Sequence, residues 1–424
     1  MTRRPALRIT LVVAAVLALA GLAAAVAIPG EAELARRAGQ ALGEKLGVPV
    51  NVGRLHWQWM PVPMVEVFDV TTGQDPPVVL KHLAAWPRIG RLLHREIAFD
   101  RLLLDGARIP QMSLKAFQKN ADTGDSTDSA WQLADQPVRH AEFHDVTWLG
   151  RRQIPLEFDG TVDFDPAWRP REAAVWLTGA QPPARLELHR VDGQDRFKAD
   201  ITVANGTWNG TLNLGQPSPD TWRLTGALQP RDIDLRALLE TFRRKPVIAG
   251  RANGQTTLEA QGKSLGDIVR SLHTRTTFSA SPATILRFDL DRAIRSLGKE
   301  HEGTTPLQTL TGVLDTHNDA DGIVMRYSEL KAKSGALSAS GTVVLQNRKV
   351  DADVAVDLVD GLVGVPLRIT GPVTNPTYSV PPAAVAGAAV GTAVLPGVGT
   401  ALGARIGDAI GRLFGSDKKP AKTP

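Results

Sequence analysis

Alternation with a period of two dominates the middle of this chain. Ile154, Leu156, Phe158, Gly160, Val162 and Phe164 alternate with Pro155, Glu157, Asp159, Thr161 and Asp163, which predicts a strand with one apolar and one wet face. The same pattern returns at Phe197, Ala199, Ile201 and Val203 against Lys198, Asp200 and Thr202, and at Trp222, Leu224 and Leu228 against Arg223, Thr225 and Gln229. It returns again at Ala352, Val354, Val356 and Leu358 against Asp351, Asp353, Ala355 and Asp357. Strict alternation predicts an antiparallel sheet with one solvated side, because strands buried on both faces read as continuous apolar runs. Asp192-Gly193, Asn205-Gly206, Asn209-Gly210 and Asp321-Gly322 predict turns between the runs.

Helical patterning is sparse. Glu31 to Leu46 fits an amphipathic helix with Leu34, Ala38, Ala41 and Leu42 near one face. Three short pieces, at 234–241, 265–272 and 289–297, each follow a strand-like stretch and set an acidic residue ahead of an apolar run, where it favours the positive end of a helix.

The two ends are apolar in different ways. Residues 9–28 carry no charge, and about 20 helical residues cross a hydrocarbon core of roughly 30 Å. Arg3, Arg4 and Arg8 set the topology, with residues 1–8 cytoplasmic and everything beyond Pro29 on the far side. A cleaved signal peptide is the alternative, with small residues at 23–27 as cleavage positions; the length of the run favours a retained anchor. At the other end, Gly387, Gly391, Gly399, Gly403, Gly407 and Gly411 keep a four-residue period within 381–415. That spacing puts small residues on one helix face, as in membrane helix contacts; a flexible Gly/Ala tail is the alternative, since glycine weakens helices. Residues 416–424 form a basic tail. The polar stretch 118–130 predicts a surface loop. All tryptophans fall between Trp57 and Trp222, which divides a β-rich region at 47–230 from a second at 231–380, the two following a juxtamembrane helix at 29–46.

Composition changes this picture little. The chain has 424 residues, with 49 Lys and Arg against 44 Asp and Glu, 43% hydrophobic residues and no cysteine. The length fits two or three units. Absence of cysteine excludes disulfide frameworks, Cys-ligated zinc, iron–sulfur clusters and thiol nucleophiles. A net charge of +5 spread along the chain is not the concentrated basic patch of a nucleic-acid binder. His140, Glu142 and His144 have the wrong order for a zincin, and Gly262-Lys263-Ser264 lacks the first phosphate-loop glycine, Thr257 standing there. Rows of aspartates on a wet strand face read as solvation. No catalytic, metal or cofactor site is expected, and the reading is of a protein that is not an enzyme.

The stretch Leu46-Gly47-Val48-Pro49-Val50-Asn51-Val52-Gly53-Arg54-Leu55-His56-Trp57, followed by Pro61-Val62-Pro63 and Val65-Glu66-Val67-Phe68-Asp69-Val70-Thr71, resembles the opening of the AsmA family. Phe278, Phe288-Asp289-Leu290, Gly322-Ile323-Val324, Ser340-Gly341-Thr342-Val343-Val344-Leu345 and Val365–Pro376 resemble its C-terminal region. The segment 118–148 departs from the pattern, the chain is short for the family, and the glycine-periodic tail lies outside it. The resemblance implies an inner-membrane, single-pass protein with its bulk in the periplasm, acting in outer-membrane biogenesis through an elongated, twisted antiparallel β-groove. Phospholipid is then the expected partner, with Leu156, Phe158, Val162, Phe164, Phe197, Ile201, Val203, Trp222, Leu224, Val354, Val356 and Leu358 lining the groove. The C-terminal segment would contact the outer membrane or another helix. The alternative is a scaffold that regulates outer-membrane protein assembly through exposed strand edges.

Overall fold

A computed structural model describes residues 30–115, 132–191, 194–218, 221–263, 265–289, 292, 302–319, 322–335, 337–358, 362–373 and 376–379. The expected membrane span, the polar stretch 118–130, the glycine-periodic segment, the basic tail and most of the 289–297 piece lie outside them. Among the described residues no helix is long and apolar enough to cross a membrane.

Twenty-one strands form one sheet. In chain order they are β1 (Val50–Gln58), β2 (Met64–Thr72), β3 (Val79–Pro87), β4 (Glu96–Pro110), β5 (Gln132–Leu149), β6 (Pro155–Phe164), β7 (Pro170–Leu177), β8 (Arg185–Arg190), β9 (Arg196–Val203), β10 (Gly206–Ser218), β11 (Thr221–Arg231), β12 (Ile233–Asp234), β13 (Ile248–Gly262), β14 (His273–Leu286), β15 (Thr304–Leu307), β16 (Thr309–Asp319), β17 (Gly322–Ser334), β18 (Leu337–Gln346), β19 (Lys349–Leu358), β20 (Leu362–Pro372) and β21 (Thr377–Ser379). The helices are α1 (Glu31–Leu46), α2 (Ile89–Leu92), α3 (Leu235–Thr241) and α4 (Leu265–Ser271).

The topology is a meander. Each strand pairs with its predecessor, except that β13 pairs both β11 and the two-residue β12, which does not pair β11, and β16 skips β15 to pair β14. Among the described residues β1 pairs only with β2, and β21 only with β20, so the sheet is open. The ladder runs without a break past residue 231, through Leu228 opposite Thr256. Two expectations are corrected. The β4–β5 pair is parallel, with Leu102 opposite Ala141, because the chain leaves β4 at one rim and begins β5 at the other. Asn209-Gly210 lies inside β10, where Gly210 faces Ala199 and Leu228. A Cβ there would sit 2.0 Å from the Ala227 carbonyl oxygen, so close strand approach explains that glycine better than a turn does.

α1, α3 and α4 take the positions their patterns predict, while α2 has no counterpart in the sequence reading. α1 buries Leu34, Ala35, Ala38, Leu42 and Leu46 against Val52, Leu55, Val65, Val67, Val70, Leu83, Ile97, Phe99 and Val138. It lies so close to β1 that a Cβ on Gly39 would come within 2.7 Å of the Val50 carbonyl oxygen. In α3, the Asp234 carboxylate accepts from the backbone N–H groups of Arg236 and Ala237, each at 3.0 Å, satisfying orphan donors of the first turn.

Phe99 is fully buried in the α1-covered core, and distant strands of an open meander share no contacts with it. Phe99→Ala should therefore cost about 3–5 kcal/mol locally. Hydrogen exchange should show amides of β1–β5 losing protection while those of β16–β19 keep theirs.

Candidate functional site: one apolar sheet face

Residues directly opposite one another in a ladder share a face, and so do residues two apart in a strand. Following the pairing across the sheet gives one row with a member in every strand from β1 to β20 except the short β12 and β15. It runs Trp57, Val65, Ala85, Leu102, Ala141, Val162, Ala173, Leu188, Ala199, Gly210, Leu228, Thr256, Thr276, Leu314, Tyr327, Val343, Ala352, Ile369. None is charged. At about 4.8 Å per strand the row extends on the order of 85 Å along the sheet surface.

All twelve expected lining positions fall on this face, at even spacing from a row member. Phe197, Val203 and Val356 are buried, while Leu156, Phe158, Val162, Phe164, Ile201, Trp222, Leu224 and Val354 are half-buried. Leu358 holds the register position opposite Leu337. Ile201 and Val203 are not open lining, because Ala237 and Leu238 of α3 pack over them. Sequence reading missed Leu186, Leu188, Leu212, Leu214, Phe278, Leu314 and Tyr327. The signal was present, since Leu186 and Leu188 alternate with Glu187 and His189, and Leu212 and Leu214 with Asn213.

Polar atoms on this face are mostly satisfied sideways. The Trp208 indole N–H donates to Thr256 Oγ1 at 3.2 Å, Thr256 and Thr276 share a hydrogen bond of 2.9 Å, and Thr274 and Thr316 one of 2.6 Å. Burial pushes the Tyr327 phenol pKa up, keeping it neutral, and the Phe278 ring stands edge-on to it at 6.3 Å. The indole N–H groups of Trp168 and Trp222 are buried without a partner.

The opposite face carries most of the charge. Across strands His82 pairs with Glu66 at 3.0 Å, His140 with Asp163 at 2.9 Å and Arg275 with Asp315 at 3.1 Å, and along β9 Lys198 pairs with Asp200 at 2.8 Å. Arg54, Arg101 and Arg185 lie over the rings of Phe68, Trp86 and Trp176. His144 bonds Glu142 at 2.8 Å, so the two histidines expected not to form a zinc site are turned to separate carboxylates. Among the described residues no group of three His, Asp or Glu side chains could hold a metal. Hydrogen bonds from Arg101 and His144 hold the Glu142 carboxyl below its usual range.

A crease crosses the first strands. Asp69, Gly106 and Asp145 all have positive φ, at 55°, 67° and 49°. They sit where the registers step over Gly53, Asp69, Lys81, Gly106 and Asp145. Lys81 and Asp145 join across it at 2.9 Å, and Asp159 accepts from the Asp145 backbone N–H at 2.8 Å. The interruptions oppose one another without a register shift from β1 to β5, and a bulge follows between β5 and β6, where His144 and Asp145 face Asp159. Leu83 and Leu80, and likewise Leu104 and Ala107, thereby face the same side despite odd spacing. Burial chiefly, and Arg152 secondarily, lower the pKa of Arg244.

No family model, curated protein or solved structure matches this chain.

Two variants test the crease. A side chain at Gly106 would meet Lys81 within 2.5 Å, and its left-handed backbone resists β-branched residues, so Gly106→Val should lower stability by about 1–3 kcal/mol in urea unfolding. Gly90 has open space around it, and Gly90→Ala should be neutral or slightly stabilising. Glu142, with its lowered pKa, contributes stability above the unfolded carboxyl pKa that is lost as pH falls through the folded value. The urea midpoint of Glu142→Gln should therefore lie below that of the parent at neutral pH, and the two should converge in acid.

Proposed function

We propose that this chain is a membrane-tethered periplasmic factor of cell-envelope biogenesis, resembling the AsmA family, that holds phospholipid acyl chains along its apolar sheet face. The observation that carries this reading is the uncharged row from Trp57 to Ile369. A soluble monomer rarely leaves an apolar patch of more than a few hundred Å² exposed. Here the half-buried side chains from β6 to β20 are lined up along one face, and among the described residues helices pack only near β1–β5, β9–β13 and the α4 end of β13 and β16. An acyl chain laid on such a surface gains about 25 cal/mol per Å² removed from water, and a head group stays wet at the rim. The crease bends the sheet toward an elongated groove. Residues 9–28 supply the inner-membrane anchor, and 381–415 contact the outer membrane or another helix.

A second reading, a scaffold for outer-membrane protein assembly, draws on β20. Its 11 residues face the 3-residue β21, which pairs only with Arg368–Thr370. The outer backbone edge from Leu362 to Leu367 thus has no strand partner among the described residues, and such an edge accepts an added strand.

Placing Asp at Phe158, Val162, Leu224 and Val354 together should abolish phospholipid co-purification, read by mass spectrometry, with the β-sheet circular dichroism retained. Unchanged lipid content in the folded variant contradicts lipid holding. Protein partners in place of lipid, lost when Val365 is replaced by Pro, would favour the scaffold.

A further inference from the structure

The two long rims of the sheet differ in what they expose. One rim carries the β1–β2 connection at 59–63 and the β3–β4 connection at 88–95, side by side because Val65 of β2 pairs with Ala85 of β3. Met60 is 83% exposed, Leu93 80%, Val62 52% and Trp59 48%. Trp59 stands edge-on to Trp57 at 5.6 Å, the first member of the apolar row, so the patch joins that face. Other turns on this rim expose fewer apolar side chains each: Val269 and Ile323 stand one in each of two neighbouring turns, where Asn318, opposite Ile323, donates to the Val269 carbonyl oxygen, and Val373 stands in another.

The two connections themselves carry charge of one sign, with Glu96 and, at the start of α1, Glu31 standing beside them. No residue from Trp57 to Met64 is charged, and the second connection, Pro87 to Arg95, contains Arg88, Arg91, His94 and Arg95 and no acid. Arg88 turns inward to the Gln136 carbonyl oxygen, and Arg91 pairs with Glu96 at 2.7 Å. Arg95 is exposed.

The chain also enters the fold at this rim. Glu31, in the first turn of α1, bonds His56 near the end of β1 at 2.7 Å, and Gly30 opens that helix. The uncharged run 9–28 ends two residues before Gly30. Any bilayer holding that run therefore lies beside Trp59, Met60, Val62 and Leu93.

We propose that this paired-loop rim is a membrane-docking surface that seats Trp59, Met60, Val62 and Leu93 in the interface of an anionic phospholipid bilayer, with Arg91 and Arg95 at the head-group level. The proposal rests on the tethered reading above and adds an orientation to it: the groove's first strands stand on the bilayer rather than swinging free on a linker. Tryptophan suits the boundary through its apolar ring and polar N–H. Basic residues beside it are drawn to anionic lipid.

The chain has no cysteine, so Met60→Cys, Leu93→Cys and Ile323→Cys each give one labelling site in the full chain. Nitroxide-labelled protein is reconstituted into vesicles of phosphatidylethanolamine and phosphatidylglycerol, floated, and probed with oxygen and a water-soluble nickel complex. Labels at 60 and 93 should be several-fold less accessible to nickel than the label at 323. Adding R91E and R95E to the Met60→Cys chain should return its label toward water in these vesicles but not in phosphatidylcholine alone. Protein that floats with labels at 60 and 93 as wet as 323 overturns docking and leaves the tether standing. Protein that fails to float overturns both.

Discussion

A strand displaced by one residue turns its whole apolar set to the other side, so a sheet of twenty-one strands keeps one apolar face only if every pairing holds its register. The row from Trp57 to Ile369 is the product of that constraint. It survives one parallel pairing and a crease that would otherwise reverse the face. Asp69, Gly106 and Asp145 take left-handed backbone together, so the first five strands keep their register across the crease and the side chains beyond the bend return to the same side. Separation of charge from apolar surface follows. Most ion pairs of Lys, Arg, Asp and Glu gather on one face, and the other is left mainly to Leu, Val, Ala, Phe and hydroxyls that satisfy one another, with Arg190, opposite Phe197 near the rim, paired to Asp165 and Asp195.

The constraint has different consequences along the sheet. Near β1–β5 the helix α1 covers the apolar face and makes an ordinary core, with Leu55 and Phe99 almost wholly out of water. Farther on, α3 covers Ile201 and Val203. Much of the remaining face is half-buried, its side chains shielded by neighbours and by curvature. A surface of that kind is stable in water only while it stays narrow or is occupied, which is why an acyl chain is the occupant we propose. Among the described residues α1 covers one end of the face and leaves much of the rest uncovered, which gives the proposed groove a polarity, with the rim at Met60 and Leu93 setting the covered end toward the proposed anchor.

Much of this was legible beforehand. Period-two alternation marked β6, β9, β11 and β19, because a sheet with one wet side writes its geometry directly into residue order. The bounds of α1 were legible from the apolar stripe of Leu34, Ala38 and Leu42, and α3 from the acid that caps it. The face shared by all twelve lining positions could not be read, since alternation fixes sides within a strand and only pairing fixes them between strands. Asn209-Gly210 has the residues of a turn, yet the glycine serves close strand approach. The parallel β4–β5 pair left no local mark, as its cause is the path of the connection. The crease was hidden too: Asp69 and Asp145 break alternation, which in sequence looks like noise.

Photo-crosslinking tests the central claim most directly. A benzophenone side chain is placed at Val162, Leu228 and Tyr327 on the row, and at their polar-face neighbours Thr161, Gln229 and Arg326, in the full chain within membranes bearing tagged phospholipid. The account predicts lipid adducts at the three row positions and none at the three neighbours. Equal labelling of both sets, or no adduct at Val162, Leu228 and Tyr327, would contradict it.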